Sequence, residues 1–407
     1  MMKSIEKLKK PLIDIMLNII SNGLPTIVLQ LIVYPLVALK LGATRNDLFL
    51  VFMSVIHIIV ASTSGSLCNT RLLLNSDYIQ KQVKGDFNLI VFIFSGLNII
   101  ILIIVSIIYN STDIIDIFMM VFLSLLWMAR DYLIVEFRLN LNFREILYNN
   151  IVLVIGIILG IIGFNFCFEN WRIIFIISYG LSLIHVIKRT EIWKEPLKRT
   201  VLFPTTIKKV IVLSFSTCIG LIPSTCSSLF IYQFGSSWVS IYTSALIIGK
   251  ILSMISSPLS SVLISYIVRV KKLSIKYYNY SIIFIFGVGS LGYFFCYIIS
   301  KPILNILYPL WASDSLKFVP ITVGIAVLDL LSMMINPIIL HFAHEKWQLI
   351  VQMTYSIIYF VLGLIIVNLG SIYLFAVMNL ILSLARAVFM ACLGRSIIIK
   401  RNKDFNR

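Results

Sequence analysis

Charge is scarce in this chain, and acid is scarcer than base. Charged residues fill 13% of 407 positions, with 17 Asp and Glu against 34 Lys and Arg. A soluble domain of this length needs far more charge and turn residue to cover its surface, so a soluble enzyme is excluded. Cysteine is as thin: Cys68, Cys167, Cys218, Cys226, Cys296 and Cys392 are scattered through apolar runs with no CxxC pair. Such residues are small packing groups, which assigns neither metal nor disulfide. The four histidines form no HExxH pair, and His341 and His344 lie three apart at an interfacial helix end. No clustered carboxylates, nucleophile–base pair or phosphate-binding glycine loop is present, so no enzyme chemistry and no cofactor is expected.

What is abundant is apolar. Such residues make up 59% of the chain, and mean hydropathy is +1.00. Each span in a bilayer satisfies its own backbone hydrogen bonds, so apolar runs of about 17–25 residues count as transmembrane helices. They fall near 12–40, 47–75, 88–109, 114–137, 150–167, 172–187, 210–234, 239–268, 278–300, 319–341, 348–368 and 373–395. Lys301 to Pro320 breaks the pattern and reads as a re-entrant turn or a short interfacial helix. Met1 to Lys10 is basic, and the run after it is too long for the core of a cleavable signal peptide.

Basic residues collect in alternate loops. Lys3, Lys7, Lys9 and Lys10 precede the first span, Lys81 and Lys84 follow the second, and Arg138 and Arg144 the fourth. Lys188 to Lys209 carries seven Lys and Arg, and Arg269 to Lys276 and Arg395 to Arg407 continue the series. The positive-inside rule places both termini in the cytoplasm, with an even number of spans in a cytoplasmic membrane. This asymmetry accounts for most of the formal +17 as a signal read against anionic lipid, not nucleic acid.

The basic stretch 188–209 divides the chain into an N-terminal lobe (1–187) and a C-terminal lobe (210–395), with a basic tail (396–407). The lobes resemble each other. Gly42 aligned on Gly235 sets His57 on Lys250, and Leu181-Ser182-Leu183-Ile184-His185 matches Leu382-Ser383-Leu384-Ala385-Arg386. Parallel repeats flanking a central cavity are a transporter plan. The expected fold is therefore an all-α polytopic membrane protein of about twelve helices in two pseudo-symmetric six-helix lobes around a central cavity.

Ionisable groups at bilayer depth cost about 2.5–3.5 kcal/mol each and usually face the bundle interior. At about 1.5 Å per residue, His57, Lys250 and Asp329 lie near the midplane and Arg386 somewhat nearer the cytoplasm. Arg71, Arg130 and Asp131 sit close to the cytoplasmic interface, where both arginines are able to snorkel to headgroups. Polar stripes run from these charges at helical spacing: Ser54, His57, Ser64, Cys68 and Arg71; Lys250, Ser253, Ser257 and Ser260; Asp329, Ser332 and Asn336; Asn379, Ser383 and Arg386. The first span adds Asp14, Asn18, Ser21 and Asn22, then Pro25, a kink. Serine stripes by themselves are tight helix packing, whereas stripes crowned by a midplane charge are cavity walls. Lys250 and Asp329 either neutralise each other as a structural pair or serve a site. A Lys, an Arg and a His against one Asp leave a basic interior, which favours an anionic group such as a phosphate or diphosphate.

The chain resembles the multidrug/oligosaccharidyl-lipid/polysaccharide exporter superfamily, and most of all its bacterial polysaccharide flippases. Asn18 to Gly42 (NIISNGLPTIVLQLIVYPLVALKLG) is similar to that family's opening helix, with its Asn/Gly centre and closing Leu-Gly. Lys301 to Ile321 (KPILNILYPLWASDSLKFVPI) resembles the segment before its tenth helix, with Tyr308-Pro309 in place of Tyr/Phe-Gly, and His344-Glu345-Lys346 resembles the polar link after it. The resemblance implies alternating access and a polyprenyl-diphosphate-linked oligosaccharide flipped to the outer leaflet of a bacterial inner membrane. In that reading Lys250 and Arg386 hold the diphosphate, Arg71 and Arg130 attract it, His57 and Asn22 line its path, and Asp329 is charge partner or carrier of a coupling H+ or Na+. A drug or small-anion exporter is the first rival, and a membrane-embedded glycan polymerase or acyltransferase the second. The outer loops are too short for the latter.

Overall fold

The computed structural model describes residues 17, 20–21, 23–108, 113–166, 170–225, 227–235, 237–267, 273–342 and 346–405. Among the described residues there are helices and no strands. Asp14, Asn18, Asn22, Cys167, Cys226 and His344 lie outside them.

Among the described residues nine helices are long and apolar enough to cross a membrane: α1 (Gly23–Gly42), α2 (Arg45–Lys81), α3 (Asp86–Ile108), α4 (Ile114–Leu133, continued by the short α5, Val135–Leu139), α6 (Phe143–Phe166), α11 (Ile275–Leu307), α13 (Val319–Phe342), α14 (Lys346–Leu369) and α15 (Ile372–Phe405). Between them run three more long helices, α7 (Arg172–Arg189), α8 (Phe203–Thr225) and α10 (Trp238–Ile267), and two short ones, α9 (Ser227–Tyr232) and α12 (Ala312–Leu316). The long helices answer the twelve expected spans one for one. The break at 301–320 resolves into α11 running on through Pro302, a turn at Tyr308-Pro309, and the short α12. Burial pushes the pKa of the Tyr308 hydroxyl above its usual value, so it stays neutral there.

Outward faces are apolar where a soluble protein would be polar. On α11, Phe284, Leu291 and Ile298 are each more than 70% exposed, an environment that only lipid makes favourable. The chain is a multi-pass membrane protein.

The helices cluster into two compact units, one of residues 1–15, 29–51 and 222–407, the other of 16–28 and 52–221. The dividing points fall inside α1, α2 and α8 rather than in loops.

In the second unit the closest helix pair is set by glycine. A Cβ on Gly156 would lie 2.5 Å from Ser178 Cα, and one on Gly160 2.6 Å from Ile174 Cα, so α6 and α7 touch backbone to backbone. Gly156-Ile157-Ile158-Leu159-Gly160 is the small-xxx-small spacing that permits this approach in a membrane. Gly163, a turn further on, would meet side-chain atoms at ordinary contact distances. Gly160→Val is therefore expected to cost about 1–3 kcal/mol or more, read as loss of monodisperse, heat-stable protein in detergent, while Gly163→Ala leaves stability unchanged.

Proline shapes α1 as expected, with a consequence for another helix. Pro25 has no N–H to give the carbonyl of Ser21, and Asn150 of α6 supplies that bond through Nδ2 at 2.8 Å while holding Ser21 Oγ at 2.9 Å. Farther along, α1 widens to a π-helical turn at Leu29–Val33, just before Pro35.

The first unit contains a long-range helix cap. Asp47 of α2 accepts hydrogen bonds from the backbone N–H of Ser237 (3.1 Å) and Ser240 (3.2 Å) and from Ser240 Oγ, and Asn46 adds a bond to Ser240. A carboxylate thus satisfies the orphan donors at the start of α10 and complements its dipole. Immediately upstream of the two helices, Gly42 (φ 72°) and Gly235 (φ 115°) both take the left-handed conformation. A Cβ would meet nothing at either site, so the backbone angle alone calls for glycine. These are the glycines that align the two sequence repeats, and each stands three residues before its helix.

Candidate functional site

In the first unit α10, α13 and α15 run side by side in the same direction. Thr322 Oγ1 reaches the carbonyl of Ala245 at 3.1 Å, and Gly249 faces Ala326 farther along, so α10 and α13 rise together. A Cβ on Gly324 would meet Leu380, and Asp329 meets Arg386, so α15 rises with them. This register puts Lys250 less than a turn from the level of Asp329. Asp329 Oδ1 lies 3.8 Å from Nη1 of Arg386. The Arg386 guanidinium stacks 4.9 Å from the Tyr355 ring centroid on α14, and the Tyr355 hydroxyl lies 3.3 Å from Ser383 Oγ. Asn379, two turns before Arg386, donates to Tyr242 of α10 at 3.4 Å.

Charge in the middle of these helices sums simply. Two cations, Lys250 and Arg386, stand there with one carboxylate, Asp329, which faces Arg386. The Asp329 atom facing Arg386 accepts no hydrogen bond, and Arg386 Nε donates none. A loosely opposed, half-buried pair of this kind is poor stabilisation and leaves both groups able to take another partner.

In the second unit α2, α4 and α7 are the counterparts. Arg130 is buried and donates to Asn149 Oδ1 (3.1 Å), Ser182 Oγ (3.1 Å), Asn150 Oδ1 and Asp131 Oδ1 (2.7 Å). Asp131 also accepts from Trp127 Nε1 at 2.9 Å, and the Trp127 ring lies between Tyr179 and His57, with centroids 4.7 and 6.0 Å away. His185 touches the network through Asn149 at 3.4 Å. Arg71 is buried as well, donating to the Tyr132 hydroxyl at 2.6 Å and to Glu195 at 2.5 Å. Neither arginine snorkels to a headgroup, because each finds carboxylate and hydroxyl partners within its own unit.

The structure thus gathers Arg71, Arg130 and His57 around α4 in one unit, and Lys250, Asp329 and Arg386 on three adjacent helices in the other. Tyr355, Asn149, Asn150 and Glu195 are the polar partners that sequence reasoning passed over. The adjacent pair Asn149-Asn150 inside an apolar run was the available signal. Among the described residues no group of three His, Cys, Asp or Glu is placed to hold a metal.

No family model and no curated protein matches the chain. Solved structures do. A multidrug resistance MATE family transporter of the MOP superfamily in its outward-facing conformation superposes with a TM-score of 0.70 at 13% identity, covering 97% of each chain. The fold is that of the MATE transporters. A MATE transporter from Vibrio cholerae in its bent form matches at 0.63 and 13% identity over 99% of each chain. A MOP superfamily transporter from Pyrococcus furiosus, described by the reversed polarity of its binding pocket, matches at 0.64 and 12% identity, over 96% of this chain and 97% of that one. The MATE fold is built of two lobes of helices, and the likeness spans nearly all of the present chain.

Proposed function

We propose that the protein is a flippase that moves polyprenyl-diphosphate-linked oligosaccharide from the cytoplasmic to the outer leaflet of a bacterial inner membrane by alternating access. The observation that carries this reading is the charge arrangement on α10, α13 and α15. Lys250 and Arg386 against the single carboxylate of Asp329 give the middle of these helices a net positive charge, and ionisable groups at bilayer depth are costly and mark functional sites. A diphosphate binds Lys250 and draws Arg386 away from Asp329, and the freed carboxylate is then placed to take up a coupling proton or Na+. Tyr355, Ser383 and Asn379 offer hydroxyl and amide groups to sugars. In this scheme the moving bodies are the repeats 1–187 and 210–395, both termini are cytoplasmic, and His57 lies along the substrate path.

The test is the sidedness of lipid-linked oligosaccharide in cells depleted of the protein. Accumulation of the diphosphate-linked glycan on the cytoplasmic leaflet, reversed by re-expression, is the expected result. Normal delivery to the outer leaflet would remove the flippase reading.

A second reading, export of cationic drugs, draws on Asp329, whose carboxylate is held by an ion pair at 3.8 Å without a hydrogen bond at that oxygen. Asp329→Asn separates the two. It should abolish resistance to cationic compounds if they are the substrates, and leave binding of a diphosphate to Lys250 and Arg386 intact if the flippase reading holds.

A further inference from the structure

Between α7 and α8 the chain does not hang as a loop. From Thr190 to Leu202 it is fastened across the basic end of the second unit as a strap. The Glu136 carboxylate accepts from the N–H of Glu191 (2.8 Å) and Ile192 (3.0 Å), and Asn88 Nδ2 donates to the carbonyls of Ile192 and Glu195, both at 2.9 Å. Asp86 accepts from Thr200 N and Oγ1. The strap passes so close over Gly85 (φ 124°) that a Cβ there would lie 2.5 Å from the Pro196 carbonyl oxygen and 3.0 Å from that of Lys198.

Beside this strap is a cavity of about 330 Å³, lined by Arg71, Asn75, Gln82 and Lys84, by the apolar Ile79, Val83 and Phe87, and by Glu195 of the strap. The Arg71 guanidinium is buried at its inner wall, stacked 5.0 Å from the Phe87 ring, and its Nη2 is occupied by Glu195 Oε1. The bidentate geometry of guanidinium suits carboxylate and phosphate alike. Arg71 is therefore a preformed anion site whose present anion is the chain's own carboxylate, carried by the strap.

We propose that this cavity binds the phosphate group of an anionic amphiphile, with Glu195 as the built-in competitor. The phosphate displaces Glu195 from Arg71 and is joined by Lys84, the chain beyond it lies against Ile79, Val83 and Phe87, and the strap is released. The site draws on groups within the second unit alone and stands whether or not the transported molecule is a lipid-linked glycan. Its consequence is a coupling between anion occupancy and the freedom of the strap.

Binding of dioctanoyl phosphatidate to the full chain in neutral detergent, together with the rate of tryptic cleavage at Lys194, Lys198 and Arg199, tests this. Wild type should bind phosphatidate with faster cleavage of the strap on binding. Glu195→Gln, which removes the competitor, and Gly85→Ala, which lifts the strap without touching Arg71, should each lower the Kd about tenfold, and Arg71→Gln should abolish binding. Inorganic phosphate marks the source of the ligand: if it reproduces the effects at similar concentration the site takes free phosphate, and if it does nothing the site takes a lipid phosphate. Either outcome supports an anion site gated by Glu195. Unchanged affinity in both Glu195→Gln and Gly85→Ala, or phosphatidate binding with no change in strap cleavage, overturns it, and neither result depends on Arg71→Gln folding.

Discussion

Lys250→Ala is expected to abolish export while leaving the protein inserted and monodisperse. Truncating one side of a desolvated charge contact costs about 2–5 kcal/mol, much of it from the partner left unmatched. Transport should then fall about 30-fold or more if that contact is made in the rate-limiting state. Arg386→Ala should give the same transport loss with an added defect, because it strands Asp329 in the middle of α13 opposite no cation. Arg386→Leu combined with Asp329→Leu isolates the two effects. The double variant should regain thermal stability, since a loosely opposed, half-buried pair gives way readily to apolar groups of similar size, and should still fail to transport. Wild-type export by both Lys250→Ala and Arg386→Ala would end the assignment of these residues to the substrate.

A different kind of loss is expected from Arg130→Leu. Its guanidinium ties together α4, α6 and α7 through Asn149, Asn150, Ser182 and Asp131, and Asn150 in turn holds the open carbonyl of Ser21. Removing the cation leaves these groups facing one another without their donor, and breaking a buried pair from one side typically costs about 3–5 kcal/mol. The midpoint of thermal unfolding should drop on the order of 10 °C. Arg130→Lys should recover part of this by keeping the charge while losing the forked geometry. A melting temperature within a degree or two of wild type for Arg130→Leu would show that the network adds little.

The two networks repeat each other in position. Ser182 and Ser383 match in the sequence repeat, and each sits in a polar contact joining the last helix of its repeat to the one before it, Ser182 with Asn149 of α6 and Ser383 with Tyr355 of α14. Near its predicted cytoplasmic end the fourth helix carries Arg130 paired with Asp131 in one repeat, and in the other it carries Asp329 facing Arg386. The long helices among the described residues, twelve in number, were legible because lipid imposes one rule on every span, and the shared level of Lys250, Asp329 and Arg386 followed from rise per residue alone. The partner of Asp329 was not legible, because depth says nothing of which side of α13 faces α10 and which faces α15. Arg71 and Arg130 read as headgroup-seeking for the same reason: their partners Glu195, Tyr132 and Asn149 lie far away in sequence. The strap escaped notice because Asn88, Glu136 and Asp86 hold it by side chain-to-backbone bonds, which leave no periodic trace in a segment rich in Lys and Arg.

The cap that Asp47 places on α10 has a bearing on how the chain is made. Its donors are 190 and 193 residues downstream, a stretch that takes on the order of 10–40 s to synthesise at ordinary rates. Through that interval the carboxylate must be kept by water or by a provisional donor, and α10 emerges with its first amides unsatisfied. The nascent helix thus becomes secure at its N-terminal end only by finding a group made long before it, which makes that meeting a checkpoint in membrane biogenesis.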